Sequence, residues 1–166
     1  AQAANIAGLI LANPSPDVMA SFRPTGPTLL VDSPGSTSSL KRVDLDLHWG
    51  LTCNPAMAFL PGFAALFGGA QPLPALGPAA MGLGHVDALL HACVHRASNL
   101  ESGLGDRLKW LYDVHLLANR LDIGGWEAFA VACRTARVSG IARDALEVSS
   151  SLFGTTLSGS AMDALQ

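Results

Sequence analysis

Val43-Asp44-Leu45-Asp46-Leu47-His48-Trp49 alternates apolar and polar residues with period two, the pattern of a β-strand with two unlike faces. One face carries Val43, Leu45, Leu47 and Trp49; the other carries Asp44, Asp46 and His48. Neighbouring carboxylates on one strand face are about 7 Å apart and repel each other. They are also costly to desolvate, so that face requires solvent, a cation or a ligand. A hard divalent cation such as Mg²⁺ suits such a pair, with water and phosphate oxygens completing its shell. An edge strand with a wet, charged outer face satisfies the same pattern.

Outward from this strand, the chain divides by character. Pro27 to Asp32, around Thr28-Leu29-Leu30-Val31, reads as a second strand, and Ser33-Pro34-Gly35-Ser36 as a turn. Residues 1 to 12 read as a short helix stopped by Asn13-Pro14. Between Gly50 and Gly84 there is no charged residue. Prolines at 55, 61, 72, 74 and 78 interrupt this stretch, so it lacks the run of about 20 apolar residues that a membrane-spanning helix needs. It is expected to be a buried connector, with one helix near Ala56 to Phe67.

From residue 84 onward the period becomes helical. Val86 to Ser98 places Val86, Leu89, Leu90, Cys93, Val94 and Ala97 on one stripe. Asp106 to Leu121 forms a second helix. Gly124-Gly125 marks a break before a third, Trp126 to Val138, which buries Trp126, Phe129, Ala130 and Cys133. Gly140 punctuates again before a fourth, Ile141 to Phe153, which Gly154 ends. Short glycine-bearing connections favour antiparallel neighbours. The expected fold class is α+β and predominantly helical: a small β piece over 1–50, an uncharged Pro/Gly-rich connector over 51–83, and an antiparallel helical bundle over 84–166.

The 166 residues are 49% hydrophobic and 14% charged, with a net charge of -3, which describes a folded, rather apolar chain. Lacking a basic patch, it is a poor nucleic-acid ligand. Its three cysteines, Cys53, Cys93 and Cys133, are widely spaced and form no CxxC, as suits buried thiols in a reducing cytoplasm. The opening segment has no basic region of the kind a signal peptide carries.

Several other residues could carry chemistry. His91 and His95 lie four apart on the first bundle helix, a spacing at which two imidazoles can reach one metal. They fall opposite the apolar stripe and equally suit a solvated face. No glutamate follows His91, so the HExxH pattern of metalloproteases is absent. Asp113 has Trp110, Leu116 and Leu117 as helical neighbours, and a carboxylate there needs a donor. Lys109 is the nearest candidate, and a histidine of helix 86–98 is the other, expected to bond it and lock the two helices together. His115 is expected to be a satisfied interior or boundary histidine. Gly35-Ser36 ahead of Asp44-x-Asp46 allows a further reading, since polymerase-β-type nucleotidyltransferases hold the triphosphate on a Gly-Ser turn and two Mg²⁺ on a following Asp-x-Asp. Only seven residues separate Ser36 from Asp44, short for that arrangement.

As a set, these motifs resemble a known family. Val43 to Leu51 is similar to the D-L-H-W-x-L signature of the bacterial uncharacterised nucleotidyltransferase family, in the polymerase-β superfamily. Asp87 to Ala97 resembles its LLH-x3-H helix, and Leu108 to Leu117 its L-x-W-L-x-D-x-x-x-L helix. Trp126-Glu127-Ala128-Phe129, followed by Ala136-Arg137, fits the next one. The resemblance runs from about residue 25 to 155. It implies transfer of a nucleotide from an NTP to an unspecified acceptor, with Mg²⁺ as cofactor. In that pattern Asp46 is the third catalytic carboxylate and Asp44 an additional acid. The family's Gly-Ser and Asp-x-Asp elements lie upstream of D-L-H-W, and nothing before residue 25 supplies them. The resemblance thus implies a C-terminal part of a longer protein, inactive by itself. The competing register makes Gly35, Ser36, Asp44 and Asp46 the core elements themselves, but the His48-Trp49 tail matches the third-carboxylate strand better. A reading from a different class is a non-catalytic helical binding or scaffold domain.

Overall fold

The computed structural model describes the backbone of Ile10 and Leu11 and residues 51–52 and 57–166. The strands expected at 27–32 and 43–49, the turn at 33–36 and Cys53 lie outside the described residues. Among those described, the chain is α+β and predominantly helical. Its order is β1 (Ile10–Leu11), α1 (Phe63–Gly68), β2 (Gln71–Pro72), a 3₁₀ turn (Pro74–Leu76), β3 (Ala80–Gly82), α2 (His85–Glu101), α3 (Leu108–Ala118), α4 (Ile123–Thr135), α5 (Ser139–Phe153) and α6 (Gly159–Ala164). No helix among the described residues is long and apolar enough to cross a membrane.

The three short strands form one antiparallel sheet in the order β1-β3-β2, with Ile10 opposite Met81 and Gln71 opposite Gly82. Two expectations are corrected here. Ile10 and Leu11 are extended and paired with β3, where a helix over 1–12 was expected. Pairing with β3 gives the Ile10 and Leu11 backbone a ladder of hydrogen bonds, and β-branched Ile10 suits an extended strand. The connector, in turn, is mostly not buried over its described residues 57–83. Within 57–83 only Leu66 and Gly82 are buried, while Phe59, Leu73 and Leu76 are exposed. Its prolines and glycines impose turns, and turns run over the surface because their backbone polar groups need water. The expected helix is confined to Phe63–Gly68, after Pro61 and Gly62.

The core lies in the bundle. α2 packs against α3, α4 and α5, α3 against α5, and α6 against α4. Leu89, Leu90, Cys93 and Val94 of the expected α2 stripe are buried, with Val86 and Ala97 half-buried at its margins. Trp126, Phe129, Ala130 and Cys133 are all buried in α4, as the spacing predicts. Leu51, the first described residue after Gly50, joins the same cluster. Beside it, Thr52 Oγ1 lies 3.1 Å from Ser98 Oγ of α2, which ties the chain leaving the Val43–Trp49 segment to the bundle.

Two glycine signals mark helix starts rather than gaps. Gly124 and Gly125 lie in the first turn of α4, where the Asp122 carboxylate accepts the Gly125 N–H at 2.7 Å. This N-cap satisfies a donor that the helix cannot satisfy internally. Gly140 lies in the first turn of α5. Gly154 ends α5 in the left-handed region (φ 67°), as expected.

α4 ends differently. The Val138 N–H bonds the Cys133 carbonyl at 2.9 Å and the Arg137 N–H the Arg134 carbonyl at 3.0 Å, with Arg137 at φ 49°. This is a Schellman closure with arginine where glycine is favoured. Replacing Arg137 by glycine relieves the left-handed strain, and a rise in unfolding free energy of about 1 kcal/mol is expected in urea melts.

Candidate functional site

Asp44, Asp46, His48, Gly35 and Ser36 lie outside the described residues. The remaining expected site residues, His91, His95 and Asp113, come together where α2 meets α3. The His91 and His95 rings meet edge-on at 5.8 Å, and the His95 ring meets Trp110 of α3 at 5.7 Å, nearly perpendicular. The Arg107 guanidinium sits 5.3 Å from the Trp110 ring centre, in the geometry of a cation–π contact. Asn99 donates to the His95 carbonyl at 2.7 Å, and its amide nitrogen is 3.1 Å from His95 Nε2. His95 is exposed and His91 half-buried, so the pair borders the bundle core rather than joining it. Among the described residues no group of three or more His, Cys, Asp or Glu side chains is placed to hold a metal.

Asp113 departs from expectation. It is exposed, and no hydrogen bond joins it to a described side chain of α2. Partial burial raises its carboxyl above the usual range, while the charges of Lys109 and His95 draw it back. Helix 86–98 is therefore felt electrostatically, through the expected histidine, without a hydrogen-bonded lock. Asp113 starts at an exposed α3 position, and water solvates it more cheaply than a fixed pairing would.

The lock between helices is made elsewhere, by Arg96. This residue is only 5% exposed, on the side of α2 that carries the apolar stripe. Its Nε lies 3.1 and 3.0 Å from the two carboxylate oxygens of Asp106, and Nη2 is 2.6 Å from Asp106 Oδ2. Nη1 reaches Asp144 Oδ2 of α5 at 2.6 Å. Burial works against the guanidinium charge, but the bonds to Asp106 and Asp144 outweigh it and the pKa is raised. One side chain thus ties α2 to the entry of α3 and to α5. Spacing alone gave no sign of this, because the partners stand 10 and 48 residues away and an arginine on a helix ordinarily counts as polar surface. The available hint was its place three residues after Cys93 and seven after Leu89, on the face of α2 that carries the apolar stripe.

A second polar cluster contains His115, which is half-buried and hydrogen-bonded to Thr155, as expected of a boundary histidine.

A cleft of about 350 Å³ opens between the start of α2 and the start of α4, lined by Gly69, Gly84, Asp87, Arg120, Asp122 and Gly125. A side chain on Gly84 would come within 2.9 Å of the Gly69 carbonyl, so the close approach of these two turns requires glycine. Burial holds the Asp87 carboxyl above its usual range. The folded protein therefore binds this proton at a higher pH than the unfolded chain, whose aspartates titrate near about 3.9. Stability from this group rises as pH falls through the raised value and levels off below the unfolded one. Asp87→Asn removes that slope. Its denaturation midpoint is expected to equal or exceed the wild type's at pH 7, with the gap closing as pH approaches 4 in matched urea melts.

The motif set on this scaffold is that of a nucleotidyltransferase. Residues 21–154 match the uncharacterised nucleotidyltransferase family, and the chain belongs to it. Neither a curated protein nor a solved structure matches the chain.

Proposed function

We propose that this chain is part of an enzyme that transfers a nucleotide from an NTP to an acceptor hydroxyl, with Asp46 as one catalytic carboxylate and Asp44 beside it. The observation that carries this reading is the family match over 21–154, which spans both the Asp44–Trp49 segment and the helices bearing His95, Trp110 and Asp113. Asp46 and Asp44 are hard oxygen donors of the kind Mg²⁺ selects. Bound there, the ion would neutralise triphosphate charge and orient the α-phosphate. Asp46 would also stand ready to take the proton of the acceptor hydroxyl.

In this reading the bundle anchors the chain that follows the acidic segment. Leu51, five positions after Asp46 and so at most about 17 Å from it along an extended chain, is buried against α2 and its neighbours. Thr52 adds a bond to Ser98, one turn beyond His95. In this reading His91 and His95, with Arg107 over Trp110, supply donors for an anionic substrate. Gly35 and Ser36 would cradle phosphate only in the competing register. Two carboxylates do not make a two-metal site. We therefore assign turnover to a form carrying the family's Gly-Ser and Asp-x-Asp elements upstream, working in a reducing cytoplasm where Cys93 and Cys133 stay thiols.

Nucleotide binding tests the reading. Calorimetric titration of NTP with Mg²⁺ is made on this chain and on a form extended through the coding sequence upstream of Ala1. The extended form is expected to bind, and Asp46→Asn to weaken binding about tenfold, in line with the loss of a group that holds a metal. An extended form that binds no NTP, with Asp46→Asn altering nothing, leaves the scaffold reading in its place.

A further inference from the structure

We propose that the outer face of α3 is an interface at which two copies of this chain pair, with their α3 helices antiparallel. A surface helix ordinarily turns polar residues to water, and α3 departs from this. Its inner face, with Trp110, Leu111, Val114 and Ala118 buried, packs against α2 and α5. Its outer face carries Leu108, Tyr112 and Leu116, which are 65%, 48% and 44% exposed. Single exposed apolar residues are ordinary on any surface. These three, however, follow one another at intervals of four, so they line up as one ridge along the helix. Phe153 of α5 broadens the ridge, its ring meeting that of Tyr112 at 5.5 Å.

The charges beside the ridge favour a second copy as its occupant. Lys109 and Asp113, both exposed, follow Leu108 and Tyr112 by one residue and so flank the ridge on the same side. A lysine four residues ahead of an acid is the weaker order for pairing within a helix. Among the described residues the two form no ion pair, and Lys109 acts on Asp113 through its field alone. Both charges therefore stand ready for a partner outside the chain.

About a two-fold axis through Tyr112, each residue i that meets residue j of the second copy is matched by j meeting i. Leu108 of each copy then packs on Leu116 of the other, and the two Tyr112 rings meet at the axis. In an antiparallel pair each flank also meets the same flank of the other helix. Lys109 thus comes beside Asp113 of the second copy, twice over. Parallel helices would set Lys109 against Lys109 and Asp113 against Asp113, an arrangement that like-charge repulsion penalises. The face complements itself in one direction only. A seam one helix wide falls short of the roughly 800 Å² per partner of a standard interface, so the dimer is weak and concentration-dependent.

Sedimentation equilibrium of the whole chain across the micromolar range tests this. The mass is expected to rise from one chain toward two. Leu108→Glu is expected to weaken pairing about tenfold or more, as for loss of an interface anchor, and to leave the thermal midpoint of the monomer unchanged. Lys109→Asp and Asp113→Lys are each expected to stay monomeric alone but to pair when mixed. The variant carrying both changes is expected to pair with itself as the wild type does, since its charges are merely exchanged. A wild type that stays monomeric throughout overturns the proposal, and so does a dimer that Leu108→Glu leaves intact. A doubly exchanged variant that stays apart while the wild type pairs overturns the antiparallel arrangement. A lowered thermal midpoint in monomeric Leu108→Glu assigns the ridge to the protein's own chain and overturns the proposal as well.

Discussion

Asp106→Ala is expected to lower the unfolding free energy by about 3 kcal/mol, toward the low end of the cost of breaking a buried ion pair. The loss arises on Arg96 more than on Asp106. The guanidinium is 5% exposed and would keep only its bond to Asp144, leaving Nε and Nη2 without acceptors. The Asp106 side chain is 33% exposed, so water can reach part of the gap, which sets the value at the low end. Asp144→Ala should cost less, because a single bond is lost from a side chain that is 62% exposed. Arg96→Lys separates charge from geometry: the ammonium keeps the charge but cannot present the fork that meets both aspartates. Thermal melts of the three variants at neutral pH check the order. For a chain of this length, Asp106→Ala should shift the midpoint by roughly 10 °C. Equal small shifts for Asp106→Ala and Asp144→Ala would show that the triad does not hold the helices.

Phe129→Ala is expected to cost about 4 kcal/mol, within the range for emptying a fully buried aromatic site. Phe129 has no exposed surface and is among the largest fully buried side chains of the bundle. Its ring meets Trp126 edge-to-face at 6.0 Å, so truncation also removes an oriented aromatic contact. Its helix packs against α2, α5 and α6, which limits how far the surroundings can close on the space. Phe129→Leu keeps most of the volume and should recover more than half of the loss. Denaturant unfolding of both variants measures this, and a loss below 1 kcal/mol for alanine would mean that the site relaxes freely.

The two variants probe different levels of legibility. Phe129 was readable from the chain because Trp126, Phe129, Ala130 and Cys133 repeat at helical spacing, and burying such a stripe is the dominant drive for a helix in water. The same reasoning located the stripe of α2 and the end of α5 at Gly154. It misplaced the starts of α4 and α5, since Gly124, Gly125 and Gly140 sit in first turns, where the amide N–H groups lack helical partners in any case. It also missed Arg96, whose role depends on acceptors brought in from the α3 entry and from α5.

By itself, then, the sequence determined the class of the fold, the apolar faces of its helices, and the family, because periodicity and ordered motifs are local properties of the chain. Tertiary structure alone decided which polar groups are paired. It placed Arg96 between Asp106 and Asp144, left Asp113 exposed beside His95's field, and joined His115 to Thr155. A hydrogen bond needs its partner within about 3 Å, and residues dozens of positions apart reach that distance only after the apolar faces have packed.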